Sequence, residues 1–353
     1  MFRSKSRAPL RLSGVLAGAL ALAFAGTPAA QSADNKISIV VSGFSAWFYL
    51  QQHVAIAGKL YEAEGLTPDV VDTNSGTRQA AAVMGGSGEI GQFSFPHVIK
   101  SAAKGGGLVA IGTGYSAYPI QLVISKAAAA KNGITPAMPI DERIKKIKGL
   151  KIAISSPGAS TDLFMRTIMI VRGMNPDKDV SLQPVGAGAP QYSAFEAGAV
   201  DGFAFGSPYT DTAIKKHGAM MVANPMIGEV AEFRESPYQI IATSRQTLAS
   251  KRDVLEKALR ALAKAQKMLR EDPAQAKKLA RPYFKKLSDE DYSTLFDANV
   301  VGVPKQVEVT QKAFKATVDL MNLTSDKKFT LTYADAVAPE MAQAADKAVP
   351  RTK

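Results

Sequence analysis

Lys148 to Thr161 reads KGLKIAISSPGAST, which is an apolar run, a small-residue loop and a helix start in succession. Leu150 to Ile154 is a short, mostly apolar run of the kind that forms a buried strand. Ser155-Ser156-Pro157-Gly158 then breaks it, and Ser160 and Thr161 stand where a helix starts. Small residues in such a strand-to-helix loop let a ligand come close to the backbone. The free N–H groups of the first helical turn and the two hydroxyls suit an oxyanion. The same hydroxyls suit a plain helix cap, and both readings stay open.

Outward from this unit, strands and helices alternate. Ile37 to Val41, ISIVV, is apolar at nearly every position and ends at Ser42-Gly43, as in a parallel sheet covered on both faces. Leu50 to Ala63 predicts a helix with Leu50, Val54, Ala57 and Tyr61 along one side and Gly65 past its end. Val70-Val71, Ile90 to Phe95, Leu108 to Ile111 and Ile120 to Ile124 read as strands, and Gln79 to Met84 as a helix. The pattern is α/β with crossover connections.

The pattern also repeats. GLTPD at Gly65 is echoed by GMNPD at Gly173, and GEI before FSFP at Gly88 by GAV before FAF at Gly198. The offsets are 108 and 110 residues, too long for a solenoid and suited to two similar α/β lobes. The tail is different in kind. Ser250 is expected to cap a helix to Glu271 that buries Leu255, Leu259, Leu262 and Leu269. Asp272-Pro273 starts the next, through Phe284; Ser288 or Asp289 caps another, and Pro304 to Leu320 reads as one more. Acidic residues interleave the lysines of Lys251 to Lys278, so this is a solvated face and no nucleic acid is expected as a partner.

Composition removes several chemistries. The 353 residues include no Cys, which excludes disulfides, thiolate metal sites and Cys nucleophiles. His53, His97 and His217 are far apart in sequence, so no metal cage is expected and no cofactor is implied. Arg3, Lys5, Arg7 and Arg11 precede an apolar run, LSGVLAGALALAFA, and then small residues. This order predicts a secretory signal peptide over residues 1–33, cleaved near Ser32 or Ala33. Its removal lowers the net charge from +12 to +8, which weakly favours anions.

With these stretches in view, the chain resembles the periplasmic substrate-binding proteins of ABC importers, in the nitrate/sulfonate/taurine-type, pyrimidine-precursor-synthase-like family. The match is carried by GKLYEAEGL from Gly58, KGLKIAISSPGAST from Lys148 and EAGAVDGFAFGSP from Glu196. Gly91 departs from the Asp often found there in the first lobe, whereas Asp201 is retained in the second; the acid is taken as structural, with no functional conclusion drawn. The resemblance implies a type II, Venus-flytrap fold with a helical C-terminal tail. Lobe 1 is expected to comprise residues 34–119 and 240–353, and lobe 2 residues 120–239, with crossings at Tyr118 to Ile124 and Tyr238 to Ala242.

Ligands of such sheets sit beyond the carboxyl ends of the strands, which directs attention to the loops there. The candidate ligand-binding residues are Phe44, Ser45 and Trp47; Asn74, Thr77 and Arg78; Phe93 and Ser94; and Tyr115 from the first lobe. From the second come Ser156, Ser160, Thr161, Gln191, Phe205 and Tyr209. Arg78 offers a guanidinium fork to a carboxylate or sulfonate, or else lies free on its helix. Strand alternation sends Phe93 and Phe95 to one face and Ser94 to the other.

The function implied is that of a monomeric periplasmic receptor. It would bind a small organic anion and deliver it to an ABC permease with its ATPase. The alternatives are a receptor for a neutral or cationic heterocycle, such as a pyrimidine thiamine precursor, and a ligand-presenting sensor subunit. Catalysis is not expected: enzymatic relatives of the fold use Cys, and neither a Gly-x-Ser-x-Gly elbow nor a His-Glu-x-x-His motif occurs.

Overall fold

The computed structural model describes residues 35–350, so the expected signal peptide lies outside the described residues. Among the described residues, ten strands form two five-stranded sheets. The first holds β1 (Lys36–Val41), β2 (Thr67–Asp72), β3 (Ile90–Ser94) and β4 (Leu108–Tyr115). The second holds β5 (Gln121–Ile124), β6 (Lys151–Ile154), β7 (Ser181–Pro184), β8 (Gly202–Phe205) and β9 (Met220–Ala223). The chain then returns to the first sheet as β10 (Gln239–Ser244).

The strand orders are β2-β1-β3-β10-β4 and β7-β6-β8-β5-β9. β1 is parallel to β2 and β3, as β6 is to β7 and β8. β10 runs antiparallel between β3 and β4, and β5 antiparallel between β8 and β9. The two halves thus share one topology, and each takes its fourth strand from a chain crossing. Tyr238 N–H donates to the Tyr115 carbonyl at 3.0 Å, tying the two crossings together. β3, β4, β5, β8 and β10 are buried along their whole length, the two-faced burial their apolar runs require.

Several elements differ from the sequence expectation. The first helix ends at Ala57, not Ala63, and the chain resumes as a short 3-10 turn at Glu62–Glu64. Gly58 lets the end wind tightly, since a Cβ there would lie 2.7 Å from the Val54 carbonyl, and Lys59 follows at φ 53. β4 runs on through Gly112 and Gly114, where a Cβ would meet Val307 at 2.7 Å and Gln92 at 2.9 Å. Ser250 closes the helix Arg245–Ser250 by donating to the Gln246 carbonyl, and the long helix is Arg252–Glu271. It buries the four expected leucines, each contributing about 2 kcal/mol.

Pro304 to Leu320 is not one helix. The helix is Gln311–Thr324, capped by Thr310, because the preceding segment lies along β4: Thr113 donates its N–H to Val307 O and its hydroxyl to Glu308 O.

Candidate ligand cleft

The loops that follow β1, β2, β3, β6, β7 and β8 meet where the carboxyl ends of both sheets face each other. On the first side, the Asp72 carboxylate accepts from the N–H groups of Gly43 (3.0 Å), Phe44 (2.9 Å) and Asn74 (2.9 Å). Gly43 has φ 72 and Asn74 φ 50, a left-handed conformation that Gly and Asn adopt most readily. Ser75 Oγ caps the helix Gly76–Met84 by accepting from Arg78 N–H at 3.3 Å.

On the second side, the Thr161 hydroxyl accepts from Ser155 N–H at 2.9 Å and shares a hydrogen bond with Ser155 Oγ at 2.9 Å. Asp162 accepts from Gly158 N–H at 2.8 Å and is held in turn by Arg166 at 2.9 Å. The helix behind this loop is Ser160–Ile170.

The two sides touch. Ser75 Oγ and Ser156 Oγ share a hydrogen bond of 2.9 Å, Thr77 Oγ1 donates to Pro157 O at 3.1 Å, and Ala187 N–H donates to Asn74 O at 3.0 Å. Between them lies a cavity of about 20 Å³, lined by Ser42, Tyr49, Gly76, Gln79, Phe93, Ser94, Ser155, Ser160, Ala187, Phe205, Tyr238 and Gln239. No lining side chain carries a charge. Burial pushes the Tyr49 and Tyr238 phenols well above their ordinary value, so both stay protonated and able to donate. Tyr238 shares a 2.9 Å hydrogen bond with Ser160 Oγ. Gln239 Oε1 accepts from Gln92 Nε2 at 2.8 Å, at the end of a buried relay running from Gln266 through Gln51 and Gln92.

The candidate residues fall into three groups. Phe93, Ser94, Ser160 and Phe205 line the cavity. Phe93 and Phe95 pack in one core cluster, and Phe93 and Ser94 both also touch the cavity. Asn74, Thr77 and Ser156 join one side to the other. Ser45 and Tyr209 line a separate cavity at the flank of the cleft.

The remaining candidates sit elsewhere. Trp47 stacks on Phe284, with ring centroids 3.8 Å apart, and reaches across only by its backbone N–H, to Ser207 O at 3.4 Å. Tyr115 is fully buried and donates to Asn299 O at 2.7 Å. Phe44 packs against His53 and Tyr283. The Arg78 guanidinium donates to Thr73 O at 3.1 and 2.7 Å, holding its own loop. Thr161 is turned into the loop it caps, and Gln191 is fully buried with neither amide atom partnered.

Sequence reasoning left Tyr49, Gln79, Tyr238 and Gln239 out of the site. A signal existed for two of them: a glutamine on a buried helix face, as at Gln79, or opening an apolar strand, as at Gln239, needs a polar environment to be there.

Comparison with known proteins places this geometry. A nitrate/nitrite-binding protein, NrtA, of Nostoc sp. is 43% identical over 63 residues, 18% of this chain and only 14% of that protein's length. A structure from Bordetella bronchiseptica RB50 superposes with TM-score 0.77 at 20% identity, over 89% of this chain and 98% of that one. The alkanesulfonate-binding protein SsuA of Xanthomonas axonopodis pv. citri, bound to MOPS, gives 0.64 at 18% identity over 86% and 98%. The periplasmic nitrate-binding protein NrtA of Synechocystis PCC 6803 gives 0.65 at 13% identity over 89% and 89%. The fold is therefore that of the two-lobed periplasmic binding proteins. Residues 34–282 match the model of the NMT1-like family, and the chain belongs to that family.

Proposed function

We propose that this protein is a periplasmic solute receptor whose two lobes, residues 34–119 with 240–353 and residues 120–239, close on one small organic anion. As a monomer, it then presents the anion to an ABC permease with its ATPase; no bond is made or broken. The observation that carries the reading is the small uncharged cavity beside the Ser75–Ser156 contact, lined by strand-end residues of both sheets. Its serine hydroxyls and the neutral Tyr238 phenol can donate, and the helices Gly76–Met84 and Ser160–Ile170 both begin at it, adding positive dipole ends. The absence of a carboxylate from its lining disfavours a polyamine.

A cavity of about 20 Å³ has room for little more than a water, so a solute enters only when the loops part and the Ser75–Ser156 and Asn74–Ala187 contacts open. The test is a thermal-shift panel of nitrate, bicarbonate, taurine, alkanesulfonates, aromatic carboxylates, pyrimidines, riboflavin and polyamines. A ligand at a thousand times its dissociation constant adds about 4 kcal/mol and moves the midpoint by several degrees. Sulfonates or carboxylates are expected to do so, and Ser160→Ala to weaken them about tenfold or more. A response to pyrimidines, flavin or polyamines alone overturns the anion, as does no response at all.

A further inference from the structure

At the flank of the cleft, lined in part by Ser45 and Tyr209, lies a second cavity, of about 570 Å³, within the range of small-molecule sites. It is closed off from the central one by ring packing. A Cβ on Gly43 would lie 3.1 Å from Phe205 Cζ, and one on Gly188 would lie 3.1 Å from Tyr209 Cε2. One wall comes from residues 189–216, behind the second sheet's loops; the other comes from residues 282–287 of the C-terminal helices.

Both walls are aromatic and held from behind. Tyr283 stacks on the fully buried His53 at 4.3 Å and 18°, and Phe284 on Trp47. Tyr209 packs edge-on against Phe205, with ring centroids 5.6 Å apart. The rim is basic: Lys216, Lys285 and Lys286 are exposed, and none forms an ion pair among the described residues. The one acid in the lining, Glu196, is already engaged by Tyr192 and His217 at 3.2 and 3.3 Å. Preformed ring walls with unpaired cations at the rim complement a flat body bearing a negative charge.

We propose that this cavity is a second binding site, distinct from the central one, for a planar organic anion such as an aromatic carboxylate. Because its walls come from both sides of the cleft, an anion seated there also favours the closed arrangement. This site goes beyond the solute-receptor reading and stands or falls separately from it.

Trp47 is the only Trp in the chain and stacks directly on Phe284 of the wall, so its fluorescence reports occupancy. Benzoate is the probe, with cyclohexanecarboxylate (charge without a flat ring) and benzyl alcohol (ring without charge) as controls. Benzoate is expected to give a saturable change at lower concentration than either control. Replacing the exposed pair, Lys285→Ala with Lys286→Ala, is expected to weaken it about fivefold without unfolding the protein. No saturable change, equal affinity for benzyl alcohol, or unchanged affinity in the double variant overturns the site. So does an affinity that falls with Ser160→Ala but not with the lysine pair, since that assigns the response to the central cavity.

Discussion

The loops after β2 and β6 occupy matching places in two sheets of one topology, yet they are held in opposite ways. Thr73 to Arg78 is pinned by exposed charged groups together with Thr73, whose N–H and hydroxyl both donate to Val41 O. The Asp72 carboxylate gathers three backbone N–H groups, and the Arg78 guanidinium grips the Thr73 carbonyl. Ser155 to Thr161 holds itself from inside, through the buried Thr161 hydroxyl and through Asp162. A duplicated scaffold preserves where a loop sits; the side chains that brace it are free to differ. The first loop is correspondingly the one more open to salt.

The sharpest way to break this contrast is Thr161→Val, which strands the buried Ser155 N–H and hydroxyl. It is expected to cost about 3 kcal/mol in denaturant unfolding, with Thr161→Ser recovering most of it. Asp72→Ala releases three N–H groups that water can reach in part, for about 2 kcal/mol, and raised salt should lessen the difference from wild type.

His53, on the helix Leu50–Ala57, makes stability depend on pH. Its Nε2–H donates to Phe44 O at 2.7 Å in the loop after β1, and burial lowers its pKa from 6.5 to about 3. Over that interval the unfolded chain binds a proton the folded one refuses. Its contribution to stability is therefore present above 6.5 and falls by about 1.4 kcal/mol per unit as pH drops. His97, also lowered to about 3 by desolvation and then by Lys100, adds a slope of the same sign. The diagnostic result is that His53→Phe flattens the acid limb by its own share and no more. The smallest effect belongs to Arg78→Ala, about 0.5 kcal/mol, because the side chain is exposed; a large loss of anion affinity in that variant would put its guanidinium at the ligand after all.

Much of the fold was legible because its signals are local. The apolar runs that became β1, β3 and β6 declare buried strands residue by residue, and the echo of GLTPD in GMNPD announced the second half. Where expectation and structure part, a nonlocal contact is responsible. Pro304 to Thr310 carries helix-compatible residues but is taken up by β4 through Thr113, and Gly58 winds against the Val54 carbonyl.

For the site, the sequence by itself determined which loops end strands, and so located Ser42, Asn74 to Arg78 and Ser155 to Thr161. Which side chains of those loops look into the cavity was decided only in three dimensions. Ser160 and Thr161 are neighbours of similar chemistry, yet one lines the cavity and the other is turned into its own loop. Tyr238 and Gln239 come from the returning crossing, 123 and 124 residues away from Tyr115 and separated from it by a whole lobe. A strand's burial is written in its own few residues. A cavity exists only where two sheets, folded from distant stretches of chain, come face to face.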